Sequence, residues 1–469
     1  MKKYPFFLIL LFFALSLNAS IRLPKILSSN MVLQQQSTAK LWGWATVPAE
    51  KIKVTTSWDN KTIETSADGN ANWQIDIQTP KAGGPYSITL QGENKIILEN
   101  ILIGEVWLCS GQSNMDRNYI KGIFSIKDEF TQLSKLNIRL FNMPKNTSKT
   151  PQDNCDGTWT ACDSNTIKIF SAVSYYFGKY LNKDLNVPIG LINSSWDGTP
   201  AEVWTPAELI ENNAILKAAE KNNKPTPWWP VNPGYAYNTM IYSVVNYNIA
   251  GAVWYQGESN RDASSSYTEL INTMIMGWRK AWNKNFPFYY VQIAPFKYDK
   301  YNVGALLREA QTKSLSTAKT GMVVISDLVN DTLNVHPSNK KDVGLRLANL
   351  ALGETYGIKK NAYKSPLLKS FKVNGSSIVI DFDNAETGLV LKGEKPKEIF
   401  IAGADKVFYP AMVKIKGKKI IASSTEVKVP TAVRYQFSNA GIGNLFSKAG
   451  LPVVPFRTDN WEVDTSKVK

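Results

Sequence analysis

Histidine is almost missing from this sequence, with one in 469 residues, and cysteine is scarce, with three. A dedicated zinc site draws on several such side chains at once, so none is expected, and no other metal or cofactor is expected either. Long apolar runs are missing too, except at the start. There Lys2 and Lys3 precede a nearly unbroken apolar stretch from Tyr4 to Leu17, followed by the small-residue segment Asn18-Ala19-Ser20. That run is short for a bilayer span, so residues 1–20 read as a cleaved signal peptide. An exported chain, periplasmic or extracellular, without stable membrane insertion is the expectation. Low-complexity tracts, internal repeats and nucleic-acid-binding motifs are also lacking. The net charge is +15, but the lysines are scattered, which favours a solvated basic exterior over a nucleic-acid partner.

What is present divides the chain. At roughly 100–200 residues per domain, the length suggests two to four domains. Residues 21–103 alternate short strand patterns with turns such as Ala67-Asp68-Gly69-Asn70, the pattern of a small β-sandwich or jelly roll. Near Ile103 the rhythm changes. Glu105–Cys109 is a continuous apolar strand, and helical stretches then alternate with such strands up to about residue 360. The helices are expected over Phe170–Leu181, Tyr267–Trp282, Ala305–Ala318 and Lys341–Tyr356. This alternation predicts an α/β unit, residues 104–360, with a parallel sheet covered on both faces. Residues 361–469 return to short strands, a second β domain. Cys155 and Cys162 lie close enough in a turn-rich stretch for a disulfide staple, although two free thiols fit as well.

Ligand chemistry in open α/β sheets gathers at the carboxyl ends of strands. Three unusual stretches fall there. Ser110-Gly111-Gln112-Ser113-Asn114-Met115 follows an apolar strand. Gly111 allows the tight turn that exposes a nucleophilic serine and aims backbone N–H groups at a developing oxyanion. The plainer alternative is a Ser/Gly/Asn-rich loop. Trp254-Tyr255-Gln256-Gly257-Glu258-Ser259-Asn260 ends a second strand in amide and carboxylate groups. Asn334-Val335-His336-Pro337 precedes the last helix. His336 has no competitor as the base of a Ser–His mechanism, since the chain holds no other histidine.

Together these blocks resemble the sialate O-acetylesterase family of carbohydrate esterases, within the SGNH-hydrolase superfamily. Gly104–Met115, Gly190–Trp204, Gly251–Asn260, Leu307–Gln311 and Val335–Lys340 occur in the family's order, and Ala432–Tyr435 and Gly450–Asp459 match its C-terminal signature. The resemblance implies an SGNH-like three-layer α/β/α sandwich flanked by β domains. It also implies removal of O-acetyl groups from sugars: sialic acids, for example at the 9-O position, or acetylated xylan and other plant glycans. A non-catalytic glycan-binding protein is the rival from another class.

Carried over by position, Ser113 is the nucleophile and His336 its base. The N–H groups of Ser113 and Gly198 hold the oxyanion, with Gln256, or else Asn260, as a third donor. Glu258 braces the loop. Arg117 is placed to meet a sugar carboxylate, or else pairs with Asp116. One position departs from the pattern. Leu333 stands three residues before the histidine, where an acid is usual. That leaves Asp331, Asp327 or a backbone carbonyl to orient the ring.

Overall fold

The computed structural model describes residues 20–468. The expected leader, apart from Ser20, lies outside the described residues. Among those residues, no helix is long and apolar enough to cross a membrane.

The chain is a mixed α/β structure organised around one strand, Lys95–Gly111. Its first half pairs antiparallel with Gly83–Gln91 and parallel with Val32–Gln34. Its second half is a central strand of a parallel array. The order there is Thr320–Val323, Phe288–Val291, Gly251–Tyr255, Lys95–Gly111, Ile189–Ser195, Ile138–Asn142, with Trp159–Ala161 antiparallel at the edge. The change of rhythm at Ile103 therefore falls inside a strand and not in a linker. Ile96–Leu98 and Glu105–Cys109, two strands in the sequence pattern, are parts of one. The strand continues while its surroundings change from partly solvated to covered on both sides.

That coverage follows from the period of two along each strand. Val106 and Leu108 face one core with Trp254, Phe288 and Tyr290, beneath the Ser264–Ala281 and Val303–Lys313 helices. Trp107 and Cys109 face another with Tyr289 and Val323, beneath the Ala172–Leu185 and Lys340–Glu354 helices. Local chemistry starts and stops these helices. The Ser171 hydroxyl accepts the Ser174 N–H at 3.1 Å, and Asn186 closes the same helix in a left-handed conformation. The Asn339 side chain accepts the Asp342 N–H at 3.1 Å to open the last one.

Residues 367–457 form two four-stranded sheets and a two-stranded ribbon around a third core. They are clamped to the α/β part by the Val303–Lys313 helix. Buried Arg308 donates to the carbonyls of Gln436, Ser438 and Asn439, and Glu309 accepts from Arg457 at 2.9 and 3.0 Å. The Leu307–Gln311 block is thus a fastening. Cys109, Cys155 and Cys162 are free thiols, so no staple joins the latter two.

Trp254 is fully buried, in edge-to-face contact with Trp204 and Trp278 at 6.1 and 5.9 Å. Trp254→Ala is expected to cost about 3–5 kcal/mol of stability. Urea denaturation would show this as a lower midpoint at unchanged slope.

Candidate active site

The carboxyl ends of the three central strands meet at Ser113. The Lys95–Gly111 strand stops at Gly111, whose φ is +142°. A Cβ there would run into the Tyr255 carbonyl oxygen, so the turn needs glycine. Ser113 then opens a single helical turn, Ser113–Asp116. First-turn N–H groups have no partner inside a helix. The Gln112 side-chain oxygen accepts the N–H groups of Gly257 and Ser259 at 3.2 and 3.3 Å, joining this turn to the neighbouring strand end.

Ser113 and His336 come together, although they are 223 residues apart in sequence. Serine Oγ lies 2.9 Å from His336 Nε2. The buried side chain of Asn114 fixes that distance. Its Nδ2 donates to Glu258 Oε1 at 2.6 Å and to the Val335 carbonyl at 3.0 Å, while its Oδ1 accepts from Lys340 Nζ at 2.6 Å. Glu258 therefore lies behind the serine turn and bonds to Asn114. Burial pushes its carboxyl above the usual range. Burial and nearby Arg117 together bring Lys340 down to about 7, against the pull of Glu258. Sequence reasoning missed Asn114 and Lys340 as site residues. Asn114 adjoins the serine and could have been flagged. A lysine gives no such signal, because this residue type is rarely buried.

The other ring nitrogen holds a surprise. His336 Nδ1 faces Arg117 Nη2 at 3.0 Å. The expected acids are elsewhere and require correction. Asp327 pairs with Arg346 through two 2.7 Å bonds, and Asp331 caps the Leu333 N–H at 2.8 Å. Arg117 does not pair with Asp116 either. Its Nη1 donates to the Lys121 carbonyl at 2.9 Å, while Asp116 is taken by Lys121 and Lys145.

Guanidinium is donor-only, so Nδ1 must accept and the neutral ring carries its proton on Nε2, towards Ser113. To take the serine proton, the ring must shift its own proton to Nδ1, which requires Arg117 to move off. Burial, then the charges of Arg117 and Lys340, push the imidazole down to about 4, while Asp197 pulls the other way. Burial would raise Asp197 itself, yet Lys121 and Lys145 hold it below the usual carboxylate range.

Gly198 lies in a turn with φ +75° after the Ile189–Ser195 strand. The turn is anchored by the Trp196 N–H donating to the Gly111 carbonyl at 3.0 Å, and by Ser259 Oγ donating to the Gly198 carbonyl at 2.9 Å. The Gln256 amide is spent inside the protein. Its nitrogen donates to Asn260 Oδ1 at 2.7 Å and the Thr199 carbonyl at 3.3 Å, and its oxygen accepts from Tyr267. Asn260 is equally engaged, accepting from the Ala201 N–H at 2.9 Å and donating to Glu202 at 2.8 Å. Both side chains brace the Gly198 turn from behind, and the expectation that either reaches an oxyanion is corrected. Among the described residues, no group of three or more His, Cys, Asp or Glu converges as a metal site.

Comparison with known proteins matches residues 103–353 to the family model for carbohydrate esterases of the sialic acid-specific acetylesterase type. Rat sialate O-acetylesterase is 28% identical over 418 residues, covering 75% of this chain and 77% of that protein. The human protein of that name is 29% identical over 385 residues, covering 74% and 73%. A crystal structure of a carbohydrate acetylesterase from Xanthomonas citri superposes with a TM-score of 0.84 at 34% identity, covering 94% of this chain and all of that one.

The single histidine makes the ring directly observable. NMR of the imidazole is expected to show a neutral ring protonated at Nε2, with a pKa near 4. Arg117→Met should raise that pKa, because a depressing positive charge is removed. A midpoint near the ordinary ~6.5 in the unaltered chain would mean that the ring is solvated and not held against Arg117.

Proposed function

The chain belongs to the sialic acid-specific acetylesterase family of carbohydrate esterases and is a carboxylic ester hydrolase, and from this premise we propose that it removes O-acetyl groups from sugars through Ser113 and His336. The observation that carries the reading is the 2.9 Å contact between serine Oγ and the chain's one imidazole, at the meeting of three strand ends.

The chemistry is acyl transfer in two halves. Ser113 Oγ attacks the acetyl carbonyl carbon and its proton passes to His336 Nε2. The Ser113 and Gly198 N–H groups receive the oxyanion. Collapse expels the sugar alkoxide, which takes the proton from the imidazolium. Water then repeats the sequence on the acetyl-serine and releases acetate. Nε2 must be free of its proton at the first step, so Arg117 leaves Nδ1 as the substrate settles. The charge of Asp197 favours the protonated ring.

Acetylated sialic acids are the substrates the family description favours, and the 9-O position is our proposal for the ester removed. A neutral acetylated plant glycan is the second reading, favoured by an uncharged aromatic cleft beside Gly198. The two helix layers around the parallel strands support an SGNH-type sandwich at 104–360, with β regions at 21–103 and 361–469. The leader-like residues 1–20 support export to the periplasm or beyond, which N-terminal sequencing of the mature protein would test.

Acetate release should be measured from acetylated sialic acid, acetylated xylan and an aryl acetate. Ser113→Ala and His336→Ala are each expected to lower kcat by about 10⁴-fold or more. Full activity in both would exclude the mechanism, and glycan binding without turnover by the unaltered chain would favour the binding-protein reading. Asp327→Asn and Asp331→Asn should stay within about threefold of the parent, because neither acid touches the ring; a loss near 10⁴-fold in either would restore it as the triad acid.

A further inference from the structure

Beside the Gly198 turn lies an open cleft of about 350 Å³ that the acyl-transfer steps do not use. Its walls include Trp196, Trp228, Trp229, Tyr235, Thr147 and Asn232, and none of its lining residues is charged. Trp228 is 76% exposed. A tryptophan so exposed leaves a large apolar face in water, and here it stands in a cleft with Trp196, Trp229 and Tyr235, the aromatic lining that ligand sites use.

The cleft adjoins the candidate active site through Trp229 and Trp196. The Trp229 ring lies against Gly198 so closely that a Cβ on that glycine would overlap it. Trp196 is hydrogen-bonded through its N–H to the Gly111 carbonyl, two residues from Ser113. The aromatic wall and the oxyanion turn are therefore parts of one surface. The segment carrying Trp228 and Trp229 reads Pro225-Thr226-Pro227-Trp228-Trp229-Pro230-Val231-Asn232-Pro233 and has no helix or strand. Four prolines restrict its backbone, so the indoles are presented at reduced ordering cost.

The geometry points to a subsite for an uncharged sugar ring, the unit adjoining the acetylated one in a longer glycan chain. The C–H face of a pyranose ring stacks on an indole, and its hydroxyls meet the few polar groups at the rim, here Thr147 and Asn232. A sialic acid carboxylate finds no cation in this cleft. The inference rests on the carbohydrate esterase reading and adds to it a preference for neutral oligosaccharide over an isolated acetylated sugar.

The test compares kcat/KM for an acetylated xylo-oligosaccharide with that for an aryl acetate. In Trp228→Ala the ratio of the two is expected to fall about tenfold, mainly through KM on the oligosaccharide, with partial recovery in Trp228→Phe. An unchanged ratio would overturn the subsite. Calorimetry with a deacetylated xylo-oligosaccharide separates this outcome from failure of the esterase reading. If the unaltered chain released no acetate from any sugar ester, binding lost in Trp228→Ala would still support the subsite, and absence of binding to the unaltered chain would end it.

Discussion

The site depends on one buried amide. Asn114 joins the serine turn, the loop after Gly251–Tyr255 and the histidine loop, using its nitrogen for Glu258 and Val335 and its oxygen for Lys340. Burying a lysine and a glutamate is costly, and each is tolerable because the other partners of the amide are in place. Removing one member of such a cluster typically costs about 3–5 kcal/mol, since it leaves the rest buried and unpaired. The spacing of Ser113 and His336 is thus set in the interior. The loops that carry the two residues have little freedom of their own.

The same logic governs the oxyanion side. Tyr267, Gln256, Asn260 and Glu202 form a chain of hydrogen bonds beneath the Gly198 turn. Gln311, on the Val303–Lys313 helix, donates to the Gln256 carbonyl at 3.1 Å and accepts the Ile293 N–H at 2.9 Å. Side chains that look like reagents in the sequence act here as supports. Chemistry that needs sub-ångström positioning requires such a supporting layer, because a loop alone would be too loose. Arg308 and Glu309 of the same helix hold the C-terminal strands, so one short block braces the site and fastens the β region.

The electrostatics around His336 differ from those of a Ser–His–Asp triad. A cation, and not a carboxylate, faces Nδ1, and burial with positive neighbours keeps the ring neutral. A neutral ring is the form a base needs, but with its proton on the opposite nitrogen. In the proposed mechanism, Arg117 therefore has to leave Nδ1 before His336 can act as a base. The aromatic cleft lies next to Gly198.

Much of the fold was legible because it is local. Continuous apolar runs marked the doubly covered strands, and 3.6-residue periodicity placed four helices within a few residues of their observed bounds. The glycine that a tight turn requires marked Ser113, and scarcity marked His336. The single strand Lys95–Gly111 was not legible as one element, because its pattern changes where its covering changes and not where it ends. The acid was misplaced for a related reason. Asp327 and Asp331 are near the histidine in sequence, but Arg346 and the Leu333 N–H claim them. By itself, then, the sequence determined the periodicity and the turn chemistry, since these depend on neighbours a few positions away, and it marked Ser113 and His336 as candidates. Only the tertiary structure decided which amide braces and which cation meets the imidazole. A side-chain donor or acceptor is the same whatever partner takes it, and here the partners lie 144 to 226 residues distant.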